Sequence, residues 1–216
     1  MAIALIMAGL VALGHPGDAR ADRAVARALV EEGQRLSRAG RAAVALERLE
    51  RAIDEDPDYL LAYEVAVGLW LRDNDFEPVI RHLARVTLRH PRYGFGWYTL
   101  AFAYRRTGRH DLAVLCYREY LELRPDEPDP YFGMGMSLVA LDRRDEARAS
   151  FGRYLEIERR PEQREFVSRA RSELARLGGE AGAAAAVTAV EWNVLRRALE
   201  RFDGLARELG RRLAAR

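Results

Sequence analysis

Apolar side chains along this chain recur at helical spacing, and the whole arrangement repeats every 34 residues between about residues 26 and 161. Four units start near residues 26, 60, 94 and 128. Their fourth positions carry Leu29, Tyr63, Trp97 and Tyr131, and their eighth Gly33, Val67, Ala101 and Gly135. The eleventh positions are large: Leu36, Trp70, Tyr104 and Leu138. A second set follows in each unit. Position twenty is small or β-branched (Ala45, Val79, Ala113, Ala147), position twenty-four is large (Leu49, Leu83, Tyr117, Phe151), and position twenty-seven is Ala52, Val86, Tyr120 or Tyr154. Intervals of three, four and seven put each set on one face of a helix, so every unit predicts two short helices packed through one small and several large side chains.

Breaker residues punctuate the pattern. Pro57, Pro91 and Pro125 fall 34 apart and close three units; the fourth place, residue 159, is Arg, with Pro161 two residues on. A proline restrains the residue before it from helical geometry, so these sites end one helical pair and begin the next. Within the units, Gly40 and Gly108 suit a left-handed residue that ends a first helix.

This layout resembles the tetratricopeptide repeat. The third unit is the closest in pattern, with Trp97, Leu100-Ala101, Tyr104, Ala113, Tyr117 and Pro125; the fourth runs Tyr131, Met134-Gly135, Leu138, Ala147 and Phe151. The second departs most, with Val67 and Val79 where smaller residues are usual. The resemblance implies an all-α fold, a right-handed superhelical solenoid of antiparallel helix pairs with about four units: 26–59, 60–93, 94–127 and 128–161, within a repeat region of 22–160. No pair buries its apolar face alone, so stacking makes the core and the ends need caps. Residues 161–177 supply a capping helix, with Phe166, Val167, Ala170, Leu174 and Leu177 at helical spacing.

In this family the first helices line a concave groove through positions 2, 5, 9 and 12. Carried over, those positions give an apolar, aromatic wall of Leu61, Leu71, Phe95, Tyr98, Phe102, Phe132 and Met136, with Glu64, Arg105 and Asp129 at its edges. The set of Lys, Asn and Arg that some members use to clamp acidic C-terminal tails is missing, so that function does not transfer. An apolar patch of this size marks a binding surface for a peptide or an amphipathic helix, or a surface covered by the chain's own C-terminal segment.

That segment has a pattern of its own. Residues 178–190 form a Gly- and Ala-rich linker. Over 191–216, Trp192, Leu195, Leu199, Phe202, Ala206, Leu209 and Leu213 repeat at alternating intervals of three and four, a heptad-like stripe opposite an Arg-rich face. Such a stripe is buried on the solenoid as a lid, in a homodimer or partner helix, or at a membrane surface as a peripheral contact. At the other end, residues 2–14 are apolar or small, too few for a membrane span of about 20 residues. With Ala19 and Ala21 in the small positions before a cut after Ala21, residues 1–21 read as a signal peptide, though no basic residue precedes the run. This predicts a periplasmic or secreted protein; retention of the segment makes it cytoplasmic.

Composition narrows the chemistry. The 216 residues hold 35 basic and 33 acidic side chains, net +2, which gives no reason to expect nucleic acid as a partner. All the basic residues are Arg, so Schiff-base and phosphate-cradling lysines are excluded. The single Cys116 excludes an intrachain disulfide and a Cys-based zinc site. His82, His90 and His110 show no metal-binding spacing and read as surface residues. Neither Gly94-Phe95-Gly96 nor Gly133-Met134-Gly135 opens a strand–helix phosphate loop. No catalytic constellation, metal site or cofactor site is predicted. The resulting expectation is an exported, non-enzymatic module that binds a protein or peptide in the groove. The alternative is a self-associating scaffold, or an assembly factor for an envelope complex, acting through its C-terminal helix.

Overall fold

A computed structural model describes residues 16–178. The described residues are helical, without strands: α1 (Pro16–Arg38), α2 (Ala42–Glu55), α3 (Leu60–Arg72), α4 (Phe76–Arg89), α5 (Gly94–Arg106), α6 (His110–Leu123), α7 (Pro128–Ala140), α8 (Arg144–Ile157) and α9 (Arg164–Arg176), the last preceded by a 3-10 turn, Pro161–Gln163. No described helix is long and apolar enough to cross a membrane. The apolar run 2–14 and the stripe Trp192, Leu195, Leu199, Phe202, Leu209 and Leu213 lie outside the described residues.

One backbone device recurs at the fifteenth position of all four units. Gly40 (φ 75°), Asn74 (57°), Gly108 (76°) and Asp142 (54°) are left-handed. Each lets the two N–H groups at the turn fold back on the end of the first helix. Gly108 N–H donates to Arg105 (3.2 Å) and Arg109 N–H to Tyr104 (2.8 Å); Asp142 donates to Val139 (3.1 Å) and Arg143 to Leu138 (2.9 Å). The orphan carbonyls of the first helix are satisfied, and the chain reverses into the second. Asn and Asp serve here because they tolerate the left-handed region better than other side chains.

A second device joins consecutive units. The aromatic at position four reaches back six residues to the boundary proline: Tyr63 Oη to Pro57 O (3.1 Å), Trp97 Nε1 to Pro91 O (2.9 Å) and Tyr131 Oη to Pro125 O (3.0 Å). One side chain therefore fills the core with its ring and satisfies a boundary carbonyl with its polar tip.

The chain divides into two compact units within α3, between Leu69 and Trp70. In the first, α1 packs against α2. Gly33 of α1 makes the close approach possible, since a Cβ there would lie 2.9 Å from Cγ of the buried Leu49. Ala26, Val30, Ala45, Leu49 and Ala52 are buried. The expected cleavage point after Ala21 falls inside α1. Two residues beyond it, Arg23 pairs with Asp56 and lies 5.1 Å over the Tyr59 ring.

In the second unit, each helix from α4 to α9 packs on the next, and α5 also packs on α7. The interior takes one small and one large residue from each second helix: Val79 and Leu83, Ala113 and Tyr117, Ala147 and Phe151, all at most 2% exposed. At the far end Leu138, Ala147, Phe151 and Tyr154 form a core with Ala170 and Leu177, against which Val167 and Leu174 pack. Phe166, on the same helix as Val167, is 46% exposed.

Candidate functional site

The residues proposed for the groove fall on both units. Leu61 (39% exposed) and Glu64 (exposed) sit on the part of α3 in the first unit. Leu71, half-buried, and all the others belong to the second.

On α5, Phe95, Tyr98 and Phe102 follow one another at intervals of three and four, so one helix face presents three rings. Phe95 is 41% exposed and tilts against Tyr93, 5.8 Å between centroids. Tyr98 lies between two tyrosines of α6, 5.4 Å from Tyr120 and edge-on to Tyr117 at 6.1 Å. Phe102 meets Phe76 of α4 edge-on at 6.1 Å. Its ring carries two guanidinium groups, Arg105 at 5.3 Å and Arg106 at 5.7 Å, and Arg106 also lies 5.1 Å over Phe76. Arg105 Nε donates to Tyr117 Oη at 3.4 Å.

The α7 residues are held more tightly. Phe132 touches Phe151 (5.9 Å) and Tyr154 (5.3 Å) of the core, and Phe166 of α9 stands perpendicular on it at 5.2 Å. Met136 packs on the same core. No ring contact links Phe132 to Tyr98 or Phe102. The structure therefore separates the predicted residues into an open aromatic face on α5 and a half-buried pair on α7 that α9 covers in part.

Polar groups frame this surface. Glu158, whose side chain is 1% exposed, accepts from the backbone N–H of Arg160 (2.7 Å) and from its guanidinium (2.5 Å); the same guanidinium reaches Asp129. The Arg160 hydrogen bonds hold the Glu158 carboxyl below its ordinary range, against the opposing effect of burial. Burial pushes the Tyr98 and Tyr117 phenols up, and Tyr154 up to about 12, so all three stay protonated near neutrality. Tyr154 Oη is buried without a hydrogen-bond partner among the described residues.

Burial raises the Cys116 thiol, which removes the thiolate that reactivity needs. His82 is half-buried and stacked on Trp70 at 5.0 Å, which corrects its reading as a surface residue. Burial and the charges of Arg81 and Arg85 bring it down to about 4. No group of three or more potential metal ligands occurs among the described residues.

The sequence pattern gave Phe166 to the capping helix and did not connect Phe76, Arg106 or Phe166 with the rings of the first helices. It assigned Tyr117, Tyr120 and Tyr154 to the core alone, although Tyr117 and Tyr120 also flank Tyr98. The signal for these was the run of aromatics at positions twenty-four and twenty-seven of the third and fourth units.

Residues 94–127 match the family model described as tetratricopeptide repeat. The fold is similar to that of MamA: one crystal structure is 24% identical, with 68% of this chain and 78% of that one covered and a TM-score of 0.56. A second, MamA AMB-1, is 21% identical over 65% and 78%, with a TM-score of 0.57. TTC0263, a thermophilic TPR protein in Thermus thermophilus, is 22% identical over 70% and 89%, with a TM-score of 0.51. No curated protein matches the sequence.

Proposed function

We propose that this chain, in which residues 94–127 match the tetratricopeptide repeat and whose fold is similar to that of MamA and TTC0263, acts as a non-enzymatic protein-interaction module with the aromatic face of α5 as the heart of its binding surface. Phe95 carries this reading: a large ring 41% exposed on an ordered helix, one turn from Tyr98 and two from Phe102. Rings held in place by neighbouring rings anchor a partner at low entropic cost. The partner is a protein segment with apolar side chains spaced to match. Within the same compact unit, Phe132 and Met136 of α7 are further candidates toward α9.

The test contrasts an anchor with a core residue of the same helix. Trp97 is 4% exposed, so Trp97→Ala should lower stability by about 3–5 kcal/mol. Phe102→Ala removes a half-buried ring and should cost about 1 kcal/mol while weakening peptide capture about tenfold or more. Equal damage to melting by the two substitutions would assign Phe102 to the core and end the proposal.

Export is part of the same proposal and rests on the sequence of residues 2–21. Intact-mass measurement of the protein from its host should give a chain beginning at Asp22. A retained leader without membrane association would instead place the protein in the cytoplasm.

A further inference from the structure

Arginine in this protein behaves consistently when it leaves water. Every half-buried arginine among the described residues but one holds a carboxylate. Arg48 has Glu32, Arg109 has Glu77, Arg118 and Arg143 share Glu146, Arg148 has Asp145, and Arg160 has Glu158 and Asp129. The exception is Arg105, whose one hydrogen bond goes to a phenol, Tyr117 Oη at 3.4 Å. A neutral oxygen does not balance a guanidinium that has given up part of its hydration.

The position of Arg105 is built by three helices. Its own helix α5 supplies the Phe102 ring beneath it at 5.3 Å. Tyr117 comes from α6 and is 2% exposed. Tyr117 in turn lies against Gly133 of α7, where a Cβ would fall 2.4 Å from its Oη. A second cation, Arg106, shares the Phe102 ring at 5.7 Å and likewise has no carboxylate among the described residues. The acid whose charge reaches the same tyrosines, Asp129, gives an oxygen to Arg160. Two guanidinium groups on one half-buried ring, without a carboxylate among the described residues and on the same helix as the exposed Phe95, form a surface that is electrostatically incomplete.

We infer that Arg105, with Arg106, receives an acidic side chain of the partner, set next to the apolar anchors that dock on Phe95, Tyr98 and Phe102. The partner segment pairs an Asp or Glu with aromatic or aliphatic neighbours. Its carboxylate is desolvated against the Phe102 ring and takes charge-assisted hydrogen bonds from Arg105. Charge complementarity selects this occupant over a purely apolar one, because an apolar segment would cover Arg105 and strip its remaining water without a counter-ion. The inference deepens the interaction reading above and rests on it.

The probe is a random dodecapeptide library displayed on phage and selected on the full chain. Clones that also bind the Phe95→Ala, Phe102→Ala double variant are discarded. Enrichment of Asp or Glu beside apolar residues is expected. The corresponding synthetic peptides should lose about tenfold or more in affinity on Arg105→Gln and several-fold on Arg106→Gln. Replacing the peptide's acid by its amide should cause the same loss on the wild type and almost none on Arg105→Gln, which localises the pairing. Arg105→Lys should recover part of the affinity, and 0.5 M salt should weaken every acidic peptide. Arg106 is exposed, so its substitution reports on charge with the fold intact. Peptides that need Phe95 and Phe102 but carry no acid, or bind Arg105→Gln unchanged, would overturn this inference and leave the interaction surface standing. A library that yields no clone dependent on those rings would remove the surface itself, and the acidic subsite with it.

Discussion

Replacing Gly133 with alanine adds one methyl group where the helices leave no room. The new Cβ would lie 2.4 Å from Tyr117 Oη, 2.5 Å from Cζ and 3.0 Å from Cε2. Carbon and oxygen atoms make favourable contact near 3.5 Å, so ring and helix must separate by about 1 Å. Tyr117 has little freedom to give way, being 2% exposed and in edge contact with Tyr98. Overpacking of this kind costs about 1–3 kcal/mol, and this contact belongs at the upper end. Alanine also returns about 1 kcal/mol of helix propensity. The net expectation is a loss of about 2 kcal/mol, or a Tm lower by about 4–8 °C. Gly68 supplies the control. It is an exposed helical glycine, and a Cβ added there would meet nothing within 4 Å among the described residues, so Gly68→Ala keeps only the propensity gain, about 0.5–1 kcal/mol. Urea titrations and thermal melts followed by far-UV circular dichroism measure both. Opposite signs are the signature of the close approach. A Gly133→Ala protein that melts at or above the wild type would refute this packing of α6 on α7.

Further predictions concern the turns and the charges. Asp142→Gly should raise stability by about 0.5–1 kcal/mol by removing left-handed strain, and Gly108→Ala should lower it by about 1 kcal/mol, since no side-chain clash adds to the backbone cost there; equal melting points for all three proteins would contradict the shared turn. Burial, followed by the charge of Glu122, pushes Glu119 up to about 7. Its protonated form therefore favours the fold, an advantage complete below the unfolded pKa and lost as pH rises through about 7. Urea midpoints of wild type and Glu119→Gln should accordingly diverge in favour of the variant between pH 5 and pH 8, and a constant offset would deny the shift. Arg160→Gln leaves the Glu158 carboxylate buried without its cation and should cost about 2–3 kcal/mol at neutral pH, below the value for a fully buried pair because Arg160 is 40% exposed. Glu158 has a depressed pKa, so the wild-type advantage is present above the ordinary carboxylate pKa and fades as pH falls below it; denaturant midpoints that differ equally at pH 3 and pH 7 would exclude this account.

The 34-residue period was legible because each hairpin must offer the same small and large side chains to its neighbour. Ala45, Val79, Ala113 and Ala147 are all 0% exposed, and their partners Leu49, Leu83, Tyr117 and Phe151 are equally interior. The left-handed turn was half legible. Gly40 and Gly108 announced it, whereas Asn74 and Asp142 perform the same task with residues that also fill ordinary solvated turns. The candidate surface was legible as a set of positions but not as a set of environments. Phe95 and Phe132 hold first-helix positions in adjacent units, yet one is 41% exposed and the other lies between the α8 core and Phe166 of α9.

The sequence alone determined which residues start on which helix face, because 3.6-residue periodicity and the 34-residue repeat act locally and are additive along the chain. Only the tertiary structure decided where the long side chains end. Arg109 meets Glu77 and Arg160 meets Asp129 across 32 and 31 residues of sequence, while Arg105 meets a phenol. Such pairings depend on distances of a few ångströms between helices that a repeat pattern does not specify. The balance of desolvation and counter-charge at each guanidinium is set there.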